Sequence, residues 1–198
     1  PRQVLKKIIK LLEKEEMEAV VAPELEFYLC EQNLDPDLPL KTPIGKSGRR
    51  ESGSRAFGID AVNEFDTLTD DIYDYCEILK IGVDTLTHES GPSQIEINLN
   101  HGDPLALADQ AFMFKRAVRQ VALKHGIHAT FMAKPYQGQP GSSMHIHHNL
   151  VSSKTKKNLF CNEDGNNSKI FFNFIGGLQT FLPDAMLFFA PYVNSYRR

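Results

Sequence analysis

The sequence predicts an α+β fold for this chain of 198 residues. Two periodicities carry the prediction: some segments repeat apolar residues at helical spacing, and others alternate apolar with polar residues. A third observation decides the class. Successive strands are joined by short turns as well as by helices, which does not fit the strict alternation of a doubly wound parallel sheet. Hydrophobic residues make up 41% of the chain and charged residues 24%, the balance of a globular protein able to bury one core.

Each element has its own local signal. Val4, Leu5, Ile8, Ile9 and Leu12 recur at helical spacing between lysines and glutamates, so residues 3–17 are expected to form an amphipathic helix. A strand follows at about 19–30. Residues 33–58 are rich in Pro, Gly, Ser and Arg and read as a long loop. "DTLTDDIYDYCEILKIG" reads as a second amphipathic helix closed by Gly82, and strands at 83–88 and 94–100 flank the turn-like "SGPS". "DPLALADQAFMFKRAVRQVALKHG" is the clearest helix, with Asp103 as N-cap, Pro104 at the first helical position and Gly126 at the stop. "IHATFMA" and "SMHIHHNLV" read as strands, and 168–189 as mostly helical.

Composition narrows the partners. A net charge of −3 argues against a nucleic-acid or anionic-membrane binder. The longest apolar candidate, "IFFNFIGGLQTFL", is interrupted by Asn173, two glycines and Gln179, so no membrane-spanning run is expected. Cys30, Cys76 and Cys161 are odd in number and show no CxxC spacing, which points to reduced thiols and a cytoplasmic protein. There is no initiator Met and no signal-like segment at "PRQVLKKIIK", and "APYVNSYRR" stops in an aromatic stretch; the chain is expected to be a piece of a longer protein.

The chemistry lies in the alternation. In "PELEFYL", Glu24 and Glu26 share one strand face while Leu25 and Phe27 take the other. In "SQIEINLN", Gln94, Glu96 and Asn98 share a face, and in "SMHIHHN" His145 and His147 do. Glu89 of "THES" ends a strand just before the turn. Any one pair alone is more often a solvated surface. Three such strands in one sheet could present a common face, and ionised carboxylates gathered on it would need partners. Carboxylates with an imidazole and no thiolate suit Mg²⁺ or Mn²⁺, and a carboxylate-rich site with open positions suits phosphoryl transfer. "PIGKSGRR" carries the end of a phosphate-binding loop, but Leu40 replaces its first glycine and Pro43 intervenes, so it is not one. The basic residues Lys46, Arg49, Arg50 and Arg55 around it read as a solvated loop, with phosphate or a neighbouring subunit as the alternative partner.

Four motifs occur in order, "ELEFYL", "HESGPSQIEIN", "GSSMHIH" and "NSYRR". Together they resemble the catalytic domain of the glutamine synthetase superfamily, and within it the γ-glutamylpolyamine branch that includes the γ-glutamylputrescine synthetases. The similarity extends through the "DPDLPL…PIGKSG" excursion and "AVNEFD". It implies a curved, largely antiparallel sheet flanked by helices, with residues 1–198 as the N-terminal portion of the catalytic domain and both the β-grasp domain and the C-terminal part lying outside them. It implies that Glu26, Glu89 and Glu96 hold the metal nearer the acyl substrate, and that Glu24 and His145 hold the metal nearer the nucleotide. Gly141 falls where the backbone approaches bound glutamate, and Arg198 matches the arginine that binds its carboxylate. His147, Asn149 and Asp84 fall near nucleotide contacts. Pro140 precedes Gly141 where glutamine-forming members usually have Asn, which agrees with the polyamine branch; Asn149 stands where Ser is common.

The implied activity is an ATP-dependent ligase of nitrogen and polyamine metabolism. ATP and glutamate give γ-glutamyl phosphate, an amine (putrescine favoured) attacks it, and the enzyme works as a homo-oligomeric ring. The alternatives are glutamine synthetase using ammonia, a metal-dependent phosphohydrolase, and a non-enzymatic relative that keeps the fold. The last is disfavoured because every matchable metal position is Glu or His.

Overall fold

The computed structural model describes residues 1–198 and is α+β. In chain order the elements are α1 (Arg2–Lys14), β1 (Met17–Glu31), a short α2 (Ile59–Asn63), α3 (Asp66–Ile78), β2 (Val83–His88), β3 (Gln94–Leu99), α4 (Pro104–Lys124), β4 (Ile127–Thr130), β5 (Met144–Ser152), α5 (Lys169–Phe189) and a 3₁₀ turn at Val193–Arg197.

One antiparallel sheet of five strands organises them, with β1 at its centre. β3 pairs with β1 over Glu24–Tyr28 and carries β2 outside it. β5 pairs with Met17–Leu25 and β4 with Tyr28–Glu31. Because Glu24 and Leu25 bond to both β3 and β5, these two strands occupy opposite edges of β1.

Alternation along β1 then separates core from site. Leu25, Phe27 and Leu29 join Ile95, Ile97 and Leu99 in one buried cluster with Leu68 and Ile72 of α3 and Phe114, Val118 and Val121 of α4. Full burial of such a side chain contributes about 1.5–3 kcal/mol. The two helices cover this face, and the opposite face of β1 carries the polar residues.

Local signals set some boundaries and tertiary contacts set others. Asp103 caps α4 by accepting the Ala106 N–H at 2.8 Å, and Gly126 closes it with φ of 73°. α3 ends at Ile78, short of Gly82. Lys80 takes the left-handed conformation at φ 57°, and the Ile81 N–H donates to Cys76 O at 2.8 Å. Gly82 instead packs beneath Asn100, whose Nδ2 would lie 2.8 Å from a Cβ there. α1 is shorter than its apolar repeat because Met17 already belongs to β1. β4 stops at Thr130, before the "FMA" that the alternation includes. Two basic loop residues are locally neutralised, Lys46 by Asp66 and Arg50 by Glu31. All three cysteines are free, and burial pushes the Cys30 and Cys76 thiols up to about 11.

α5 corrects the expectation of an interrupted apolar run. It continues for 21 residues through Asn173, Gly176, Gly177, Gln179 and Pro183, with a mean hydropathy of 1.2. By length and composition it could cross a membrane; the same properties serve a helix covered by protein. Each glycine costs a helix only about 1 kcal/mol. Phe171 and Phe174 pack on Phe160, with ring centroids 5.7 and 5.2 Å apart, while Phe181, Leu187 and Phe188 are 68%, 71% and 83% exposed.

Candidate active site

Register builds the site. Residues directly opposite each other in an antiparallel pair share a face. Glu24 lies opposite Asn98 on one side and His145 on the other, and Glu26 lies opposite Glu96. His145 Nδ1 is 3.3 Å from Glu24 Oε2 and 3.8 Å from Glu26 Oε1, and His147 Nε2 is 2.7 Å from Glu24 Oε1. One ligand atom each from Glu24, Glu96 and His145 lie within 4.8 Å of one another.

This crowding has an electrostatic signature. Burial pushes the Glu96 carboxyl up to about 7, and the charges of Glu24, Glu89 and Glu26 add to the effect while His145 opposes it. Burial also holds Glu26 above the usual carboxylate range. The Ser143 N–H, at 3.0 Å from Oε2, pulls it back, Glu89 raises it, and His145 and Arg198 lower it. Carboxylates that repel one another in the absence of a cation, with an imidazole beside them, fit a hard divalent ion. Glu24, Glu96 and His145 would hold Mg²⁺ or Mn²⁺, with Glu26 and Glu89 beside them.

A second group adjoins this cluster. Gly141 sits so close to its neighbours that a Cβ would lie 2.6 Å from Ala133 O and 2.9 Å from Arg198 Cγ, so only glycine fits. Arg198 donates to Ser142 O at 3.3 Å and to the Ser143 hydroxyl. Ser143 in turn donates its N–H to Glu26, so the Gly141–Arg198 region and the carboxylates share one loop. Asn149 follows His147 along β5 on the same face, and its Oδ1 is buried without a partner. Asp84 stands apart. It lies on edge strand β2 where its charge reaches Tyr73 of α3, and no hydrogen bond or ion pair links it to the cluster.

Comparison with known proteins decides the family. The sequence model described as "Glutamine synthetase, catalytic domain" matches residues 1–198. The chain belongs to the glutamine synthetase catalytic-domain family. It is 37% identical to the γ-glutamylputrescine synthetase PuuA of Escherichia coli K12 over 200 aligned residues, covering 100% of this chain and 42% of that protein. It is 35% identical to the glutamine synthetase of Pyrococcus woesei, covering 100% of this chain and 42% of that one. The cryoEM structure of Plasmodium falciparum glutamine synthetase superposes with a TM-score of 0.87 at 24% identity, over 100% of this chain and 43% of that one. The chain therefore spans less than half the length of these relatives, and its fold is that of glutamine synthetase-type catalytic domains.

Within the glutamine synthetase fold, two supporting groups escaped the sequence reading. His88, 1% exposed, donates from Nδ1 to Glu89 O at 2.7 Å, and its Nε2 lies 2.9 Å from Glu51 Oε2. The same Glu51 oxygen accepts the Ser93 N–H at 2.6 Å, so a residue of the long loop braces the turn that presents Glu89. Nothing in the local spacing around Glu51 signals this, because its partners are 37 and 42 positions away. Gln94 was visible on the polar face, but its partners come from two other segments.

Proposed function

We propose that the protein is an ATP-dependent carbon–nitrogen ligase joining the γ-carboxylate of glutamate to an amine, with putrescine as that amine. The observation that carries the reading is the direct connection, through Ser143, between the carboxylate–imidazole cluster and the Gly141–Arg198 region. The γ-phosphoryl group of ATP would pass to the glutamate γ-carboxylate, giving the acyl phosphate and ADP. The amine would then attack the acyl carbon, phosphate would leave, and the attacking nitrogen would lose its proton. A bound divalent cation supplies charge neutralisation at the phosphate oxygens. Glu26, Glu89 and Glu96 would hold the ion nearer the acyl substrate and Glu24 and His145 the ion nearer the nucleotide, while Arg198 would anchor the substrate carboxylate with the Gly141 backbone alongside. His147 and Asn149 face the nucleotide side.

Putrescine is supported by the 37% identity to PuuA and by Pro140 at the position where Asn is usual in glutamine-forming members. The family resemblance supports reading residues 1–198 as the N-terminal portion of a catalytic domain that works within a homo-oligomeric ring, and the chain covers 42% of PuuA, so this portion alone would be inactive. The test is phosphate release by the full-length protein with ATP, glutamate, Mg²⁺ and a panel of amines. The expected result is a kcat/KM for putrescine well above that for ammonium. Equal or better turnover of ammonium would make the protein a glutamine synthetase. Phosphate release without glutamate or amine would make it a phosphohydrolase.

A further inference from the structure

The buried amide of Gln94 joins three parts of the site that are far apart in sequence. Its Nε2 lies 3.0 Å from Glu26 Oε2 and 3.1 Å from Gly141 O, and its Oε1 accepts the Gly91 N–H at 2.9 Å. Two acceptors on one side and a donor on the other fix the orientation of the amide, since a flip would set its oxygen against two oxygens. Gln94 is 1% exposed, so these partners are not replaced by bulk water. A glutamate of the same shape would offer no donor and would place a second carboxylate against Glu26.

The loop it grips is held residue by residue. Tyr28 donates its hydroxyl to Pro140 O at 2.8 Å, Gln94 takes Gly141 O, Arg198 takes Ser142 O, and Glu26 accepts the Ser143 N–H. Gly91 makes room for this arrangement, for a Cβ there would lie 1.8 Å from the Tyr28 hydroxyl and 2.7 Å from Gln94 Oε1. The turn bearing Gly91 also bears Glu89. No hydrogen bond joins Gln94 to His147, Asn149 or Asp84.

We propose that Gln94 is a positioning residue that fixes the Glu26 carboxylate and the Gly141 backbone relative to each other, so that metal and acyl substrate are held in one geometry. The inference rests on the ligase reading above. It separates Gln94, which serves both metal and glutamate, from Tyr28, which serves the loop alone.

The experiment uses the full-length protein, with Gln94→Met, Gln94→Glu and Tyr28→Phe. It measures KM for glutamate and ATP, half-saturation by Mg²⁺, and Tm. Substituting a group that orients metal ligands typically costs about 10- to 100-fold in metal affinity or activity. Gln94→Met is expected to raise both the glutamate KM and the Mg²⁺ requirement by at least about 10-fold, on that same scale, and to leave the ATP KM within about twofold. Tyr28→Phe is expected to raise the glutamate KM and leave the Mg²⁺ requirement unchanged. If Gln94→Met lowers Tm but keeps wild-type KM and Mg²⁺ values, or shifts ATP as much as glutamate, the positioning role is wrong. If Gln94→Met does not fold, Gln94→Glu decides by the same readouts. A wild-type protein that shows no glutamate-dependent turnover with any amine overturns the ligase reading, and this inference falls with it.

Discussion

Glu96 sits among three other glutamates with one nearby imidazole, and burial and repulsion together disfavour its charge. Removing that charge without changing the shape should relieve the metal-free protein. Glu96→Gln in the full-length protein is expected to have an EDTA-treated Tm equal to or above wild type, and to lose the Tm increase that Mg²⁺ or Mn²⁺ gives by binding the native state. A wild-type metal response in this variant would remove Glu96 from the ligand set. Arg198 carries a different requirement, because it bonds the loop through two guanidinium nitrogens and a lysine cannot fork. Arg198→Lys should raise the glutamate KM by about 10-fold or more, the loss of one bidentate charged contact. The clustering of Glu24, Glu26, Glu96 and His145 was legible because strand alternation assigns them to faces without any knowledge of tertiary structure. Their supports were not. Glu51 becomes meaningful only when its loop folds back on His88, and Asp84 lies on the edge strand β2, away from the cluster.

At the level of elements, what could be read depended on how local the deciding chemistry is. The ends of α4 are written in its own cap residues, and both were legible. Asp103→Ala should cost about 1 kcal/mol through the lost bond to the Ala106 N–H, read as a lower denaturation midpoint. The end of α3 was not legible, since Gly82 looks like a helix stop but is needed for close packing against Asn100. α3 and α4 are held to the sheet by burial, and Ile72 is fully buried in that layer. Ile72→Ala is expected to cost about 2–5 kcal/mol, the range for a core truncation whose cavity only partly collapses. A cost below about 1 kcal/mol, typical of an exposed site, would mean that α3 does not cover the core as described.

For the whole molecule, α5 and the segment after it present a wide apolar surface. Phe181, Leu187, Phe188, Tyr192 and Val193 are all more than half exposed. Patches of this kind are covered in soluble proteins or drive association. The 198-residue chain alone should therefore self-associate, and Phe181→Ser with Phe188→Ser should shift it towards monomer in sedimentation velocity. A monodisperse wild-type monomer would contradict this. The central position of β1 has a consequence for how the protein is made. Its ladder partners lie at 94–98, 127–130 and 144–152, and Glu24 meets His147 across a separation of 123 residues. Such long-range closure is slow, because chain entropy must be lost before any contact rewards it. During synthesis this 15-residue strand leaves the ribosome before β3, β4 and β5, with both edges unpaired and one apolar face. A ribosome that stalls before β5 leaves one edge of β1 open as an aggregation template.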